Sequence, residues 1–415
     1  MEGRARRAYR ALVLKYDVLR LPPEIQQKIP ELLRVQEEFR RWASEWARSN
    51  GKVPLPEENP LRYLAREFVY AYSALDWLRA RVVKRTMQTP LILDAQLRLS
   101  NERDQGRGIF VDAPRRELRV RKLGIGALAL PLSKSDIEWI LKRIHEGARL
   151  VLAMVWVGGD KLYIALVFRR DITQIETKRL LAIDLNALHN GVAYAIVERN
   201  RVLERSALRP HLRKLEKLWR EASMLDSLCA KKGGTYCEKA RAASSRLWRL
   251  LREWQKETAR FIVKLALQYR AAIVVDVPEN ETIQELKEDN RYPAERKALL
   301  NFGKPRKLIE KLAKWHGIPY IETRLYSTVC PRCGTKMKAL QGRRVKCVQC
   351  GLEVGRDEVP IMWAMKRFDK LLDAAKSQSL SFSPPGTLIN PAVLPPHKDR
   401  PPRCYPAVSQ AVLMR

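Results

Sequence analysis

Cys330 and Cys333, then Cys347 and Cys350, give the spacing C-x2-C-x13-C-x2-C, and no other feature constrains this chain as tightly. A two-residue spacer lets both thiolates of a pair turn toward one ion, and the glycines that follow, Gly334 and Gly351, permit the tight turn. Four thiolates close a tetrahedral site with no position for water, so a structural Zn²⁺ is expected. Redox or disulfide chemistry fits this spacing poorly in a reducing compartment. Cys229, Cys237 and Cys404 are expected to be ordinary thiols. Directly after the second pair comes "GLEVGRD", which places an acidic residue, Asp357, just before an apolar run in a basic chain.

That basicity is large: 79 Lys and Arg stand against 46 Asp and Glu over 415 residues, a formal charge of +33. Solubility needs far less, and a polyanion, nucleic acid, is the natural partner. Lys336, Lys338, Arg343, Arg344 and Lys346 crowd between the two cysteine pairs, a density suited to phosphate. No apolar run reaches the ~18–20 residues of a membrane span, and "MEGRARRAYRALVLKYD" lacks the uninterrupted apolar core of a signal peptide. An intracellular protein without a membrane partner is expected.

Periodicity divides the chain. "YRALVLKYDVL" reads as an opening strand; residues 22–49 and 61–87 carry apolar positions at helical spacing, two amphipathic basic segments separated by "GKVPLPEENP". From about 107 the period changes to two, with a hairpin turn at "GGD" and one helix, "SKSDIEWILKRIHEG", capped by Ser133 or Ser135. This predicts a small sheet or barrel that residues 1–20 rejoin. From 179 strands alternate with helices, including two long basic helices within 205–270, which predicts an α/β domain. Residues 376–415 hold eight prolines and little periodicity, the composition of a disordered tail.

Three carboxylates stand out. Asp184 ends the apolar run "LLAIDLN", Asp276 ends "AAIVVDVP", and Asp357 opens the helix after the cysteines. Singly, each would serve as a cap or an ion-pair partner. Together, two strand ends and a helix entrance can bring hard oxygen ligands to one point, the ligand type of Mg²⁺ or Mn²⁺. Two such ions about 4 Å apart cleave phosphodiesters.

"AIDLNALHNGVAYAI", "TARFIVKLALQYRAAIVVDV" and "YSTVCPRCG…CVQCGLEVGRD", in that order, resemble TnpB, the OrfB-type protein of insertion sequences, related to type V CRISPR effector nucleases. The resemblance covers most of residues 1 to about 375. It implies a wedge β-barrel (1–20 and 101–178) carrying a helical recognition insert (21–100). An RNase H-like (RuvC) nuclease domain would follow over 179–325, with bridging helices within 205–270, a zinc knuckle at 326–352 and a last helix at 353–375. It further implies an RNA-guided DNA endonuclease of a transposable element, with guide RNA and double-stranded DNA as partners and Asp184 and Asp357 as the first and last metal-binding carboxylates. The family's second carboxylate is a Glu, usually followed by Asp; here Asp276 either replaces that Glu or matches the Asp that follows it, with Val275 in the Glu position. "EVPIMWAM" also departs from the family's Asn-Ala-Ala after the last Asp. Arg205, Arg209, Arg213, Lys214, Arg246, Arg249 and Arg252 are the candidates for contact with an RNA–DNA duplex, joined by Lys336, Lys338, Arg343 and Arg344. The rival readings are a guided DNA-binding protein acting by occupancy and a conventional nuclease without a guide.

Overall fold

The structure is a computed structural model that describes residues 6–74, 90–185, 191–277 and 303–378. They fall into two compact units that divide between Ile172 and Thr173. Residues 75–87 of the second amphipathic segment, Cys404, and the expected tail beyond Gln378 lie outside the described residues. No described helix is long and apolar enough to cross a membrane.

In the first unit, strand β1 (Arg6–Asp17) is followed by helices α1 (Pro23–Gln26), α2 (Ile29–Arg48) and α3 (Leu61–Ala74). Next come β2 (Leu91–Arg98), β3 (Ile109–Asp112), β4 (Glu117–Val120), β5 (Leu128–Pro131), helix α4 (Lys134–His145), β6 (Ala148–Gly158) and β7 (Lys161–Ile172). Among the described residues the strands form one sheet in the order β1-β7-β6-β2-β3-β4-β5. β1 pairs antiparallel with β7 from Arg6↔Ile172 to Asp17↔Lys161, so the opening strand joins the far end of the unit. The sheet is not a closed barrel: its edge strands share no ladder and meet instead where the Tyr16 hydroxyl donates to the Pro131 carbonyl at 2.9 Å. The helical insert is also shorter than expected, because Leu91–Arg98 is a strand of this sheet, with Leu91, Ile92 and Leu93 buried.

The insert is fixed to the sheet by apolar and polar ties. Phe39, Trp42 and Trp46 of α2 pack on Phe68 and Tyr72 of α3 through edge-to-face ring pairs. Buried Gln36 of α2 accepts from Val157 N–H at 2.8 Å, satisfying a β6 backbone group beyond the end of β2. Asp94 of β2 accepts from Tyr63 of α3, from Gly108 N–H at 2.7 Å and from Arg107 at 3.1 Å. At α4, Ser133 and Asp136 form a reciprocal capping box.

The second unit contains β8 (Arg179–Leu185), β9 (Val192–Glu198), β10 (Arg201–Leu208), α5 (Leu212–Lys232), α6 (Thr235–Tyr269), β11 (Ala271–Asp276), α7 (Gly303–His316) and β12 (Tyr320–Thr323). A three-stranded sheet of β13 (Met337–Ala339), β14 (Arg344–Cys347) and β15 (Glu353–Gly355) precedes α8 (Val359–Lys366) and α9 (Phe368–Gln378). The main sheet runs β10-β9-β8-β11-β12; β8, β9 and β10 are antiparallel, whereas β11 is parallel to both β8 and β12. One face, with Leu181, Ile183, Ile273 and Val275, packs on α6 and α7. The other, with Leu180, Ala182, Ala272 and Val274, packs under α8 and α9 through Val359, Trp363, Ala364 and Phe368. Covered on both sides, the parallel strands are apolar almost throughout.

Two features differ from the sequence expectation. Arg205 lies on β10, a strand that sequence reasoning did not separate from the helices after it. Cys229 and Cys237 are not free thiols: they form a disulfide, Cα–Cα 4.6 Å, between the end of α5 and the start of α6. The chain reverses at Gly233-Gly234, both at positive φ, and this turn brings the two sulfurs together.

Candidate metal centre and carboxylate face

The two cysteine turns are built alike. Cys330 N–H donates to Thr335 O at 2.8 Å and Gly334 N–H to Cys330 O at 2.9 Å; Cys347 N–H donates to Leu352 O at 2.8 Å and Gly351 N–H to Cys347 O at 3.1 Å. Gly334 (φ +80°) and Gly351 (φ +70°) occupy the left-handed region that closes each turn. All four Sγ atoms lie within 4.8 Å of one another, with Cys330–Cys350 and Cys333–Cys347 at 3.4 Å. Zn–S bonds of about 2.3 Å would set tetrahedral S–S distances of about 3.8 Å, so this donor set fits Zn²⁺. The Thr335 side chain and backbone, then Cys347, hold the Cys333 thiol down at about 6, toward the thiolate a metal needs. Contacts to α8 carry the turn onward: Trp363 Nε1–H donates to Val329 O at 2.9 Å and Lys366 Nζ to Pro331 O at 2.7 Å.

Asp184 and Asp276 are register partners at the carboxyl ends of adjacent parallel strands, β8 and β11. Alternation sets both on the face of Ala182 and Val274, under α8 and α9. Asp357 belongs to the 3₁₀ turn Arg356–Glu358 that leads into α8. It is not the cap of that helix, since the capping position is Glu358, which makes no side-chain cap bond. Each of the three carboxylates is half-buried. Asp276 Oδ1 accepts from Leu325 N–H at 2.7 Å. Burial holds its carboxyl above the ordinary range, opposed by that bond, by Arg324 and by Val277 N–H. Among the described residues, the four thiols alone already gather around one point; the three aspartates are not drawn so close. Their oxygens are of the type that holds Mg²⁺ or Mn²⁺.

The candidate phosphate contacts are spread over the unit. Arg213 and Lys214 on α5, and Arg246, Arg249 and Arg252 on α6, are exposed, and Arg246 lies 4.0 Å from Glu221. Arg209 is exposed between β10 and α5. On the cysteine sheet Lys338 stands opposite Lys346, both exposed, while Lys336 is exposed and Arg344 pairs with Glu353 at 3.1 Å. The Arg343 side chain lies outside the described set.

Residues 302–360 match the family model "Cas12f1-like, TNB domain". Over 120 residues the chain is 30% identical to the "TnpB-like protein MJ0751" of Methanocaldococcus jannaschii, covering 28% of this chain and 42% of that protein. Both matches liken the chain to TnpB-type proteins and to the Cas12f1-like family. The match spans less than half the length of this curated relative. Among solved structures, the chain is similar to a Cas12f1–sgRNA–target DNA complex, at 12% identity over 83% of each chain and TM-score 0.49. It is also similar to the mini RNA-guided endonuclease CRISPR-Cas_phi3, at 10% identity over 58% of this chain and 60% of that one, TM-score 0.29.

The sequence did not point to Glu204, Glu358 or the placement of Arg205. A bulge between Val202 and Glu204 directs the Glu204 carboxylate to the hydroxyls of Tyr194 (3.0 Å) and Tyr269 (2.9 Å). The next residue, Arg205, reaches Glu358 at 2.8 Å. Only the adjacency of Glu358 to Asp357 could have signalled this.

Proposed function

We propose that the chain is an RNA-guided DNA endonuclease of a transposable element, hydrolysing phosphodiesters at a RuvC-like site formed by Asp184, Asp276 and Asp357. The observation that carries this is the register of Asp184 with Asp276 at two parallel strand ends, on the face covered by the helix that Asp357 introduces. Ligands of open α/β sheets gather outside the carboxyl ends of such strands. When bound, Mg²⁺ or Mn²⁺ supplies the activated water and the stabilisation of the leaving oxygen. Asp184, Asp276 and Asp357 would hold those ions; the four cysteines would hold Zn²⁺ and fix the turn before Asp357.

The proposed organisation is a wedge sheet with a helical recognition insert in the first unit, then an RNase H-like (RuvC) domain with a zinc knuckle in the second. The exposed cations of α5, α6 and the knuckle then take phosphates of guide RNA and target DNA, while base pairing reads the target. A prokaryotic cytoplasm, at the nucleoid, is where such a protein would work.

One observation favours a second reading, guided DNA binding by occupancy. Asp276 has one oxygen engaged by Leu325 N–H and is a methylene shorter than Glu, which octahedral Mg²⁺ tolerates poorly. The experiment is cleavage of a matched DNA target by guide-loaded protein with Mg²⁺ or Mn²⁺, beside Asp184→Ala and Asp276→Glu. Cleavage by wild type and none by Asp184→Ala is expected. Target binding with no cutting above Asp184→Ala would establish occupancy instead, and restoration by Asp276→Glu would assign the loss to the missing methylene.

A further inference from the structure

Beside the carboxylate face lies a cavity of about 280 Å³ between β10 and α8. Its walls are mostly apolar, from Val202 and Leu203 of β10 and Ile361, Met362 and Met365 of α8; Glu204 also borders it, and the Arg205–Glu358 pair stands at its rim. The β10 bulge makes this arrangement: with Glu204 held by Tyr194 and Tyr269 on the α6 face, Arg205 turns to the opposite face, that of Asp184 and Asp276. Arg205 pairs in register with Ala195 and Asp184 with Ala193. Two strand spacings and two residues therefore separate their Cα atoms, about 12 Å. Glu358 directly follows Asp357.

We propose that this cavity is a nucleotide subsite. It takes one unpaired base of the strand presented to the carboxylates, and Arg205 passes from Glu358 to a phosphate of that strand. This rests on the nuclease reading and extends it to the substrate's position. Charge and shape select the occupant. An apolar slot with two methionines offers polarisable contact to a flat ring but few groups to read a base edge, so it tolerates any base. The guanidinium at its mouth matches a phosphodiester. The volume suits a single base rather than a base pair or an extended peptide side of many residues. With side-chain exposures of 62% and 42%, Arg205 and Glu358 form a solvated ion pair of the weak kind, which a phosphate can displace.

The test uses the full chain with Ca²⁺ in place of Mg²⁺ and no chelator, so that no strand is cut while the cysteine site keeps its metal, with a labelled single-stranded oligonucleotide carrying one 5-iodouracil. Irradiation should join that base to the Val359–Lys366 peptide, read by mass spectrometry, and Met362→Lys should reduce the yield several-fold. Arg205→Gln should weaken binding and lower the slope of log affinity against log salt by about 0.7, one phosphate on a single strand. Glu358→Gln, which frees Arg205, should tighten binding. Circular dichroism melting confirms that each variant folds. Crosslinks confined to other peptides, together with an unchanged slope for Arg205→Gln, would overturn the subsite and leave this face to a protein partner. The two readings fail separately: crosslinking without any DNA cleavage would refute the nuclease alone, and cleavage with the crosslink elsewhere would refute the subsite alone.

Discussion

At the scale of single residues, backbone geometry and burial make the sharpest demands. Gly191 opens β9 at φ +71°, where an added Cβ would meet Leu208 O at 2.0 Å and Arg209 Cα at 2.9 Å. Both are backbone atoms that cannot step aside. Gly191→Ala should therefore cost about 3 kcal/mol or more, measured by urea unfolding. Glu67 makes a different prediction. Burial first, then the Asp94 carboxylate, hold its carboxyl above the ordinary range, against Lys122 and Arg107, with the Tyr63 hydroxyl bonded to the same Asp94. A raised folded-state pKa contributes stability in full below the unfolded pKa and loses it as pH rises through the folded value. Glu67→Gln, never charged, should thus gain on wild type as pH climbs from about 4 toward 7, read as the difference between the two unfolding curves. Neither demand shows in the sequence, because each depends on what the fold brings alongside. The gathering of the four cysteines, by contrast, was legible, since their paired spacing is written into the chain.

Among elements, the couplings run through short ties. The cysteine turn holds α8 by two backbone carbonyls, Val329 to Trp363 and Pro331 to Lys366, one on each side of Cys330. Elemental analysis should find one zinc per chain. Chelation or Cys347→Ser should remove it and shift the tryptophan emission, a change that Trp363→Phe abolishes. The helical hairpin has a covalent tie in Cys229–Cys237. Closing a loop of this length is worth about 2.5 kcal/mol in the entropic model, so dithiothreitol or Cys229→Ser should expose the Gly233-Gly234 turn to limited proteolysis. Sequence reasoning placed both helices but not the bond, because a helix break separates the two cysteines and only the folded hairpin joins them. β10 was likewise illegible: "RVLERSAL" is an edge strand with weak alternation, and its bulge breaks the period further. The apolar runs ending in Asp184 and Asp276 announced two buried strands, yet their register emerges only from long-range pairing.

At the scale of the whole molecule, charge sets the behaviour. A chain of +33 should bind single-stranded nucleic acid with an affinity that falls steeply between 50 and 200 mM salt, followed by fluorescence anisotropy. A nearly flat response would mean that the exposed cations of α5 and α6 are solvated surface only. The separation of Asp184, Asp276 and Asp357 along the chain has a consequence in time as well as in space. A ribosome delivers the N-terminal parts first, and domains fold as they emerge. The cationic hairpin is thus made before the cysteine turns, and the cysteine turns before Asp357. A nascent chain thus presents its basic hairpin, and any phosphate contact that hairpin makes, well before the last of the three acids has been added.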